Sequence, residues 1–186
     1  MSFGFPGTKE EIAKAIDEVR ISRKGKIIFL ASAGNFGPYQ DDTFPASHPA
    51  VIAFRATTSL GKFLETNPTN ENAVVFGTFG DDIPQRLREY RSQVCQPGTS
   101  AATAIAGGIA AMILSYVTVL PMLVIWEDKV GLLSMSWTTE GMQKLFHRMS
   151  DDMGNRKRFL NPIKFFSDRP TDLARYCAIY DCLQGK

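Results

Sequence analysis

One uninterrupted apolar run, Ile27-Ile28-Phe29-Leu30-Ala31, is typical of a parallel strand that is buried on both faces. Asn35 follows this run and therefore falls just beyond the carboxyl end of the predicted strand. Pockets in open α/β sheets lie at that end of the strands. The run thus predicts an α/β fold and places Asn35 where a ligand would bind.

The segments around this strand alternate between helical and extended patterns. Thr8 and Glu11 have the spacing of a capping box before an amphipathic helix, and the apolar stretches 51–56 and 73–77 predict two further strands. The predicted fold class is a doubly wound, mostly parallel sheet with helices on both faces. We expect residues 1–120 to form this unit and residues 121–186 to form a helical extension that packs on it.

A second motif, Gly98-Thr99-Ser100-Ala101-Ala102, opens a long apolar helix. Most serines in such a position only cap the helix. A catalytic serine needs an exposed hydroxyl, a base, and donors aimed at the negative charge that develops on the substrate oxygen. Ser100 provides the hydroxyl, and the amide of Asn35 could provide one donor.

Together these motifs resemble subtilisin-like serine peptidases, in order and in approximate separation. Ala31-Ser32-Ala33-Gly34-Asn35 and Gly98–Ala102 match the oxyanion and nucleophile motifs of that family, and Ser2-Phe3-Gly4 matches its substrate edge. The resemblance implies a serine endopeptidase with Ser100 as nucleophile and Asn35 in the oxyanion hole. It also implies that a peptide lies between two edges, formed by Ser2, Phe3 and Gly4 and by Ser32, Ala33 and Gly34.

The catalytic aspartate and histidine of that family have no counterpart in this sequence. Neither His48 nor His147 lies in the family's histidine motif. We therefore expect the chain alone to be nearly inactive, with the two residues supplied by a preceding segment or by a partner chain. The alternative function is a non-catalytic remnant that binds peptides or proteins in the same groove.

An α/β-hydrolase esterase is a third hypothesis, prompted by the order Ser100, Asp128, His147. It requires a buried strand directly before the serine, but the preceding residues are polar and end in Pro97. It also requires His147 to reach Ser100. The sequence therefore favours the peptidase.

The composition of the chain argues against several other classes of protein. The formal charge of +2 across 186 residues is too small to indicate nucleic-acid binding. The apolar run 101–126 is long enough to span a membrane, but its glycines, its alanines and Pro121 favour a helix of the protein core. Three cysteines without paired spacing indicate neither disulfides nor zinc. We expect no cofactor, no membrane partner and, in the absence of a signal peptide, an intracellular location.

Overall fold

The computed structural model describes residues 1–69, 73–81, 97–123 and 129–185. Its strands are β1 (Phe29–Ser32), β2 (Val51–Thr57), β3 (Val75–Phe79), β4 (Ser150–Asp152) and β5 (Lys157–Leu160). Its helices are α1 (Glu10–Ser22), α2 (Thr99–Leu123), α3 (Lys129–Ser136), α4 (Thr139–Arg148), α5 (Pro162–Ser167) and α6 (Asp172–Gln184).

In the described part of the chain, all five strands form one sheet with the order β1-β2-β3-β5-β4. The first four strands in this order run parallel, and only the edge strand β4 is antiparallel to its neighbour β5. Helices pack on both faces, as the apolar run of β1 predicted. The predicted α/β class with a mostly parallel sheet is therefore confirmed.

The larger core lies between the sheet and helices α2, α4 and α6. Phe54 on β2 and Phe76 on β3 enclose Phe146 of α4, with ring centroids 5.3 and 5.9 Å from that ring. Ala106, Ala110, Ile113, Val117 and Leu120 form the buried face of α2 above the strands. This packing fixes the axis of α2, so the position of its first turn is set by the sheet.

The opposite face is covered by α1 and by the chain that leads into β2. Ile16 of α1 packs with Ala31, Phe44 and Val51 in a second, smaller core. The helix begins at Glu10, and its N-cap residue Lys9 makes no side-chain cap. The predicted capping box is therefore wrong, because Thr8 lies one residue too early to cap this helix.

Arg55 is a charged residue inside the otherwise apolar strand β2, and only 2% of it is exposed. Its guanidinium donates to Asp42 Oδ1 at 2.5 Å and to the Pro68 carbonyl at 3.0 Å. A buried charge is tolerated only when it is paired in this way. These two hydrogen bonds tie the segment before β2, which contains Asp42, and the segment after β2, which contains Pro68, to Arg55 in the sheet.

Residues 121–186, expected to form a helical extension, also supply β4 and β5 to the common sheet. Thr138 and Thr171 cap α4 and α6 through their side chains. Cys177 and Cys182 are free thiols, and Cys95 lies outside the described residues. One described helix, the 25-residue α2, is long and apolar enough to cross a membrane by length and composition.

Candidate active site

Three segments meet beyond the carboxyl ends of the parallel strands. Asn35 follows β1, Gly80 follows β3, and Gly98 precedes the first turn of α2. The Gly98 amide donates to the Gly80 carbonyl at 2.8 Å, which anchors the start of α2 to the end of β3. The sheet therefore brings residues 35 and 98–100 together although they are far apart in the sequence.

Asn35 contacts the first turn of α2 directly. Its Oδ1 accepts a hydrogen bond of 2.9 Å from the backbone N–H of Thr99, and the Gly34 amide donates to Thr99 Oγ1 at 3.3 Å. Since Oδ1 is the acceptor of the carboxamide, Nδ2 is left as its donor. Within the described residues no acceptor contacts Nδ2, so this donor is available to a ligand.

Ser100 is the residue after the one that Asn35 binds, and it is exposed. Its Oγ donates to the Ser2 carbonyl at 3.2 Å, which ties the N-terminal segment to the same site. The backbone N–H of Ser100 belongs to the first turn of α2 and has no partner within the helix. An exposed hydroxyl and two free donors, Asn35 Nδ2 and Ser100 N–H, therefore lie side by side.

The contact between Asn35 and the first turn of α2 depends on Gly98. A Cβ at this position would lie 2.9 Å from Asn35 Nδ2 and 3.0 Å from Oδ1, which is too close for the amide to stay in place. We expect Gly98→Ala to displace the Asn35 side chain and to lower the free energy of unfolding by about 0.5–1.5 kcal/mol. Hydrogen exchange of the Thr99 amide should then accelerate about tenfold.

Gly108 is the matched control for that substitution, because it lies in the same helix and a Cβ there would meet nothing within 4 Å. Gly108→Ala should raise the free energy of unfolding by about 0.5–1 kcal/mol through helix propensity. It should leave Thr99 exchange unchanged. Unaltered protection of the Thr99 amide in Gly98→Ala would contradict the described contact.

The two predicted substrate edges differ in what they can offer a peptide. The amides of Ser32 and Ala33 already donate to the carbonyls of Met1 and Phe54. In the described part of the chain, the backbone groups of Phe3 and Gly4 have no hydrogen-bond partner, and both residues are exposed. In the first edge the backbone groups of Phe3 and Gly4 are therefore free to pair with an added strand, whereas the Ser2 carbonyl already accepts from Ser100 Oγ.

Thr43, which no sequence pattern indicated, lies between these two edges. A Cβ on Gly4 would lie 2.2 Å from Thr43 Oγ1, and one on Gly34 would lie 3.0 Å from Thr43 Cγ2. Thr43 is buried, and its amide and hydroxyl both donate to the Ala33 carbonyl, at 2.8 and 3.2 Å. Thr43 therefore occupies the space between Gly4 and Gly34 and holds the two edges in contact through its side chain.

Neither histidine lies near Ser100. His48 precedes the amino end of β2, where its Nε2 is 3.7 Å from Asp17 of α1. His147 lies beside Val74 and Phe76, where β3 begins, so the length of a strand, at about 3.3 Å per residue, separates it from Ser100. The esterase hypothesis thus loses its base, and Asp128 lies outside the described residues.

The electrostatic surroundings of His147 also differ from those of a catalytic base held by a carboxylate. Desolvation by the surrounding chain and the positive charge of Arg158 lower the pKa of its imidazole, and Asp152 opposes this change. The imidazole is therefore held in its neutral form near pH 7. No described residue within reach of Ser100 Oγ can accept its proton as an imidazole does.

Comparison with known proteins gives an independent result. The sequence profile of the subtilase family, peptidase S8, matches residues 1–146. The fold is similar to that of a point mutant of the protease domain of PatA, with a TM-score of 0.60 and 19% identity over 100% of this chain and 58% of that chain. None of the curated proteins matches the chain.

Two further solved structures are similar to the fold. The patellamide maturation protease PatG has a TM-score of 0.60 and 15% identity, over 99% of this chain and 50% of that chain. The prenylagaramide maturation protease PagA has a TM-score of 0.57 and 21% identity, over 89% of this chain and 57% of that chain. The chain therefore spans less than two thirds of the length of these protease structures.

Proposed function

Since the chain belongs to the subtilase family, we propose that it carries the nucleophile and the oxyanion hole of a serine endopeptidase. The observation that carries this proposal is the contact of Asn35 with the first turn of α2, through Thr99 N–H. It leaves Asn35 Nδ2 and the Ser100 amide beside the exposed Ser100 hydroxyl. This is the arrangement that acyl transfer requires of a donor pair and a nucleophile.

In the proposed reaction, a peptide pairs with the free backbone groups of Phe3 and Gly4 as an added strand. Ser100 Oγ attacks the carbonyl carbon of the scissile bond, and its proton passes to a general base, which returns it to the leaving amine when the C–N bond breaks. The carbonyl oxygen becomes an oxyanion that accepts hydrogen bonds from Asn35 Nδ2 and Ser100 N–H. The positive end of the α2 dipole stabilises the same charge.

A base must come from residues other than His48 and His147. We propose that a preceding segment or a partner chain supplies a histidine and an aspartate, and that it packs on α2 beside Ser100. The helix contains no charged residue, and its outward face is solvent-exposed and composed of apolar and small side chains. These are Ala104, Ile105, Gly108, Ala111, Met112, Ser115, Thr118, Val119, Met122 and Leu123.

The alternative function, a peptide-binding protein without catalysis, would use the same edge. It is favoured by the distance of both histidines from Ser100. The two functions differ in one property, because binding needs Phe3 and Gly4 but does not need a reactive Ser100. An acylation or phosphonylation experiment therefore separates them.

The proposal is tested by slow labelling with a fluorophosphonate at about pH 9, where hydroxide replaces the missing general base. We expect the phosphonyl group on Ser100 in preference to the other exposed serines, because Asn35 Nδ2 and the Ser100 N–H lie beside its hydroxyl as oxyanion donors. Asn35→Ala should slow this labelling about 10²- to 10³-fold, as the loss of one oxyanion donor does in related chemistry. Mass spectrometry of the digested protein locates and quantifies the label.

Gln40→Ala is the matched control, since Gln40 is an exposed amide in the loop that follows Asn35. It should leave the labelling rate of Ser100 unchanged. Labelling spread evenly over exposed serines, or equal rates in Asn35→Ala and the unmodified chain, would show that no oxyanion hole exists. The non-catalytic alternative would then stand.

A further inference from the structure

An open cavity of about 840 Å³ lies on the face of the sheet that is turned away from α2. Phe54 and Phe76 face the core beneath that helix. Side chains alternate along a strand, so the neighbouring Arg55 and Val75 lie on the opposite face, where they line the cavity. Val75 and Lys157 begin β3 and β5, whereas the candidate active site lies beyond the carboxyl ends of the strands. The cavity is therefore a separate site, and its volume is typical of a small-molecule site.

The apolar wall of the cavity is formed by the loop after β2, which is held in place by the sheet. The side chain of Asn67, which is 5% exposed, makes two hydrogen bonds of 2.8 Å with the backbone N–H and carbonyl of Ala56. The Leu64 amide donates to the same carbonyl at 3.1 Å. A Cβ at Gly77 would lie 2.7 Å from Phe63 Cζ, so that ring packs directly on the strand. The loop therefore presents a preformed apolar surface.

The turn of the β4–β5 hairpin brings cations to the same cavity. Lys157 Nζ lies 5.6 Å from the centroid of the Phe63 ring, and none of the ion pairs between described residues involves this lysine. Its amide donates to the Gly154 carbonyl at 2.9 Å, which closes the turn. Arg156 in this turn has a φ of 60°, where glycine is the easier residue. The guanidinium is thus kept beside the cavity at a conformational cost.

The lining residues that the structure describes give the cavity a net positive charge. Arg55 is neutralised by Asp42. This leaves Arg156 and Lys157 against one carboxylate, the exposed Glu65. The cavity therefore combines a fixed aromatic wall with an excess of cations.

We propose that this cavity binds a small aromatic carboxylate. The ring system of the ligand packs on the apolar loop beside Phe63. Its carboxylate accepts a charge-assisted hydrogen bond from Lys157 Nζ, and Arg156 adds to the positive potential. This site is independent of the proposed peptidase function, because it uses none of the residues around Ser100.

The probe is 2-naphthoate, which is titrated into the isotope-labelled chain while amide shifts are followed by NMR. It should shift the amides of Leu64, Asn67 and Lys157 and leave the amide of Ser100 unchanged. The uncharged analogue 2-naphthamide should bind about 10- to 100-fold more weakly, the usual effect of losing a hydrogen bond between charged groups. Acetate, which lacks the rings, should shift none of these amides at the same concentrations.

Lys157→Met removes the ammonium and keeps an unbranched side chain of similar length. It should weaken naphthoate binding about 10- to 100-fold and leave naphthamide binding unchanged, which also shows that the cavity is still formed. Lys62→Met is the matched control, because Lys62 is exposed and precedes Phe63 but is not among the residues that line the cavity. It should bind naphthoate as the unmodified chain does.

Arg156→Gly is the second variant, since glycine fits the positive φ at that position. It should weaken naphthoate binding several-fold. Lys24→Gly is its matched control, because Lys24 is an exposed cation with a φ of 52° at the end of α1. Its affinity for naphthoate should equal that of the unmodified chain.

Three results would overturn the proposal. The first is the absence of naphthoate shifts at Leu64, Asn67 and Lys157, including the case in which only the Ser100 amide shifts. The second is an equal affinity of the unmodified chain for naphthoate and naphthamide, which decides the need for a charge without any variant. The third is an undiminished naphthoate affinity in Lys157→Met.

Discussion

Hydrolysis of a peptide amide by this chain alone is expected to be about 10⁶-fold slower than by a complete serine peptidase. In subtilisin, removal of either the serine or the histidine has an effect of about that size on kcat. Here both histidines lie at the amino ends of the strands, whereas Ser100 lies beyond their carboxyl ends. A serine hydroxyl without a base in reach is a poor nucleophile at neutral pH.

The measurement is turnover of a fluorogenic peptide as a function of pH. Any residual rate should rise steadily with pH and show no step near 6.5, the ordinary pKa of an imidazole. The double variant His48→Gln, His147→Gln should retain the residual rate. A rapid reaction that depends on Ser100 and disappears in the double variant would show that one of these histidines reaches Ser100 after all.

The buried ion pair of Arg55 and Asp42 stabilises the folded chain. Asp42→Asn should lower the free energy of unfolding by about 3–5 kcal/mol, because it leaves the buried guanidinium without a counter-charge. The side chain of Arg55 is only 3% exposed in this pair, so water cannot replace the lost carboxylate. Urea unfolding followed by circular dichroism gives the free energy of unfolding of each variant.

Asp41→Asn is the matched control, since Asp41 is the exposed neighbour of Asp42 in the sequence. Its free energy of unfolding should stay within about 0.5 kcal/mol of that of the unmodified chain. Similar values for the two variants would mean that the Arg55–Asp42 pair contributes little. The segment that leads to Thr43 would then be held in place by other contacts.

Much of the site was predictable because its residues stand at the ends of strongly patterned elements. The apolar run before Asn35 fixed the end of β1, and the apolar run after Ser100 fixed the start of α2. Since strand ends meet at one edge of a parallel sheet, the contact between Asn35 and the first turn of α2 followed from this pattern. The structure places these residues together, and their catalytic roles remain predictions.

Thr43 and Arg55 were not predicted, for different reasons. Thr43 lies in a loop without periodicity, and only the folded chain brings it between Gly4 and Gly34. Arg55 did leave a signal, because a charged residue inside an apolar strand needs a buried partner. The sequence could have indicated that a partner exists, but it could not identify Asp42 among the other carboxylates.

A crystal structure of the fluorophosphonate adduct would show whether Asn35 and Ser100 form one oxyanion hole. We expect phosphorus bonded to Ser100 Oγ, with the phosphoryl oxygen about 2.7–3.1 Å from both Asn35 Nδ2 and the Ser100 amide. Phosphorus on another residue, or a phosphoryl oxygen that points to solvent and contacts neither donor, would show that these residues form no oxyanion hole.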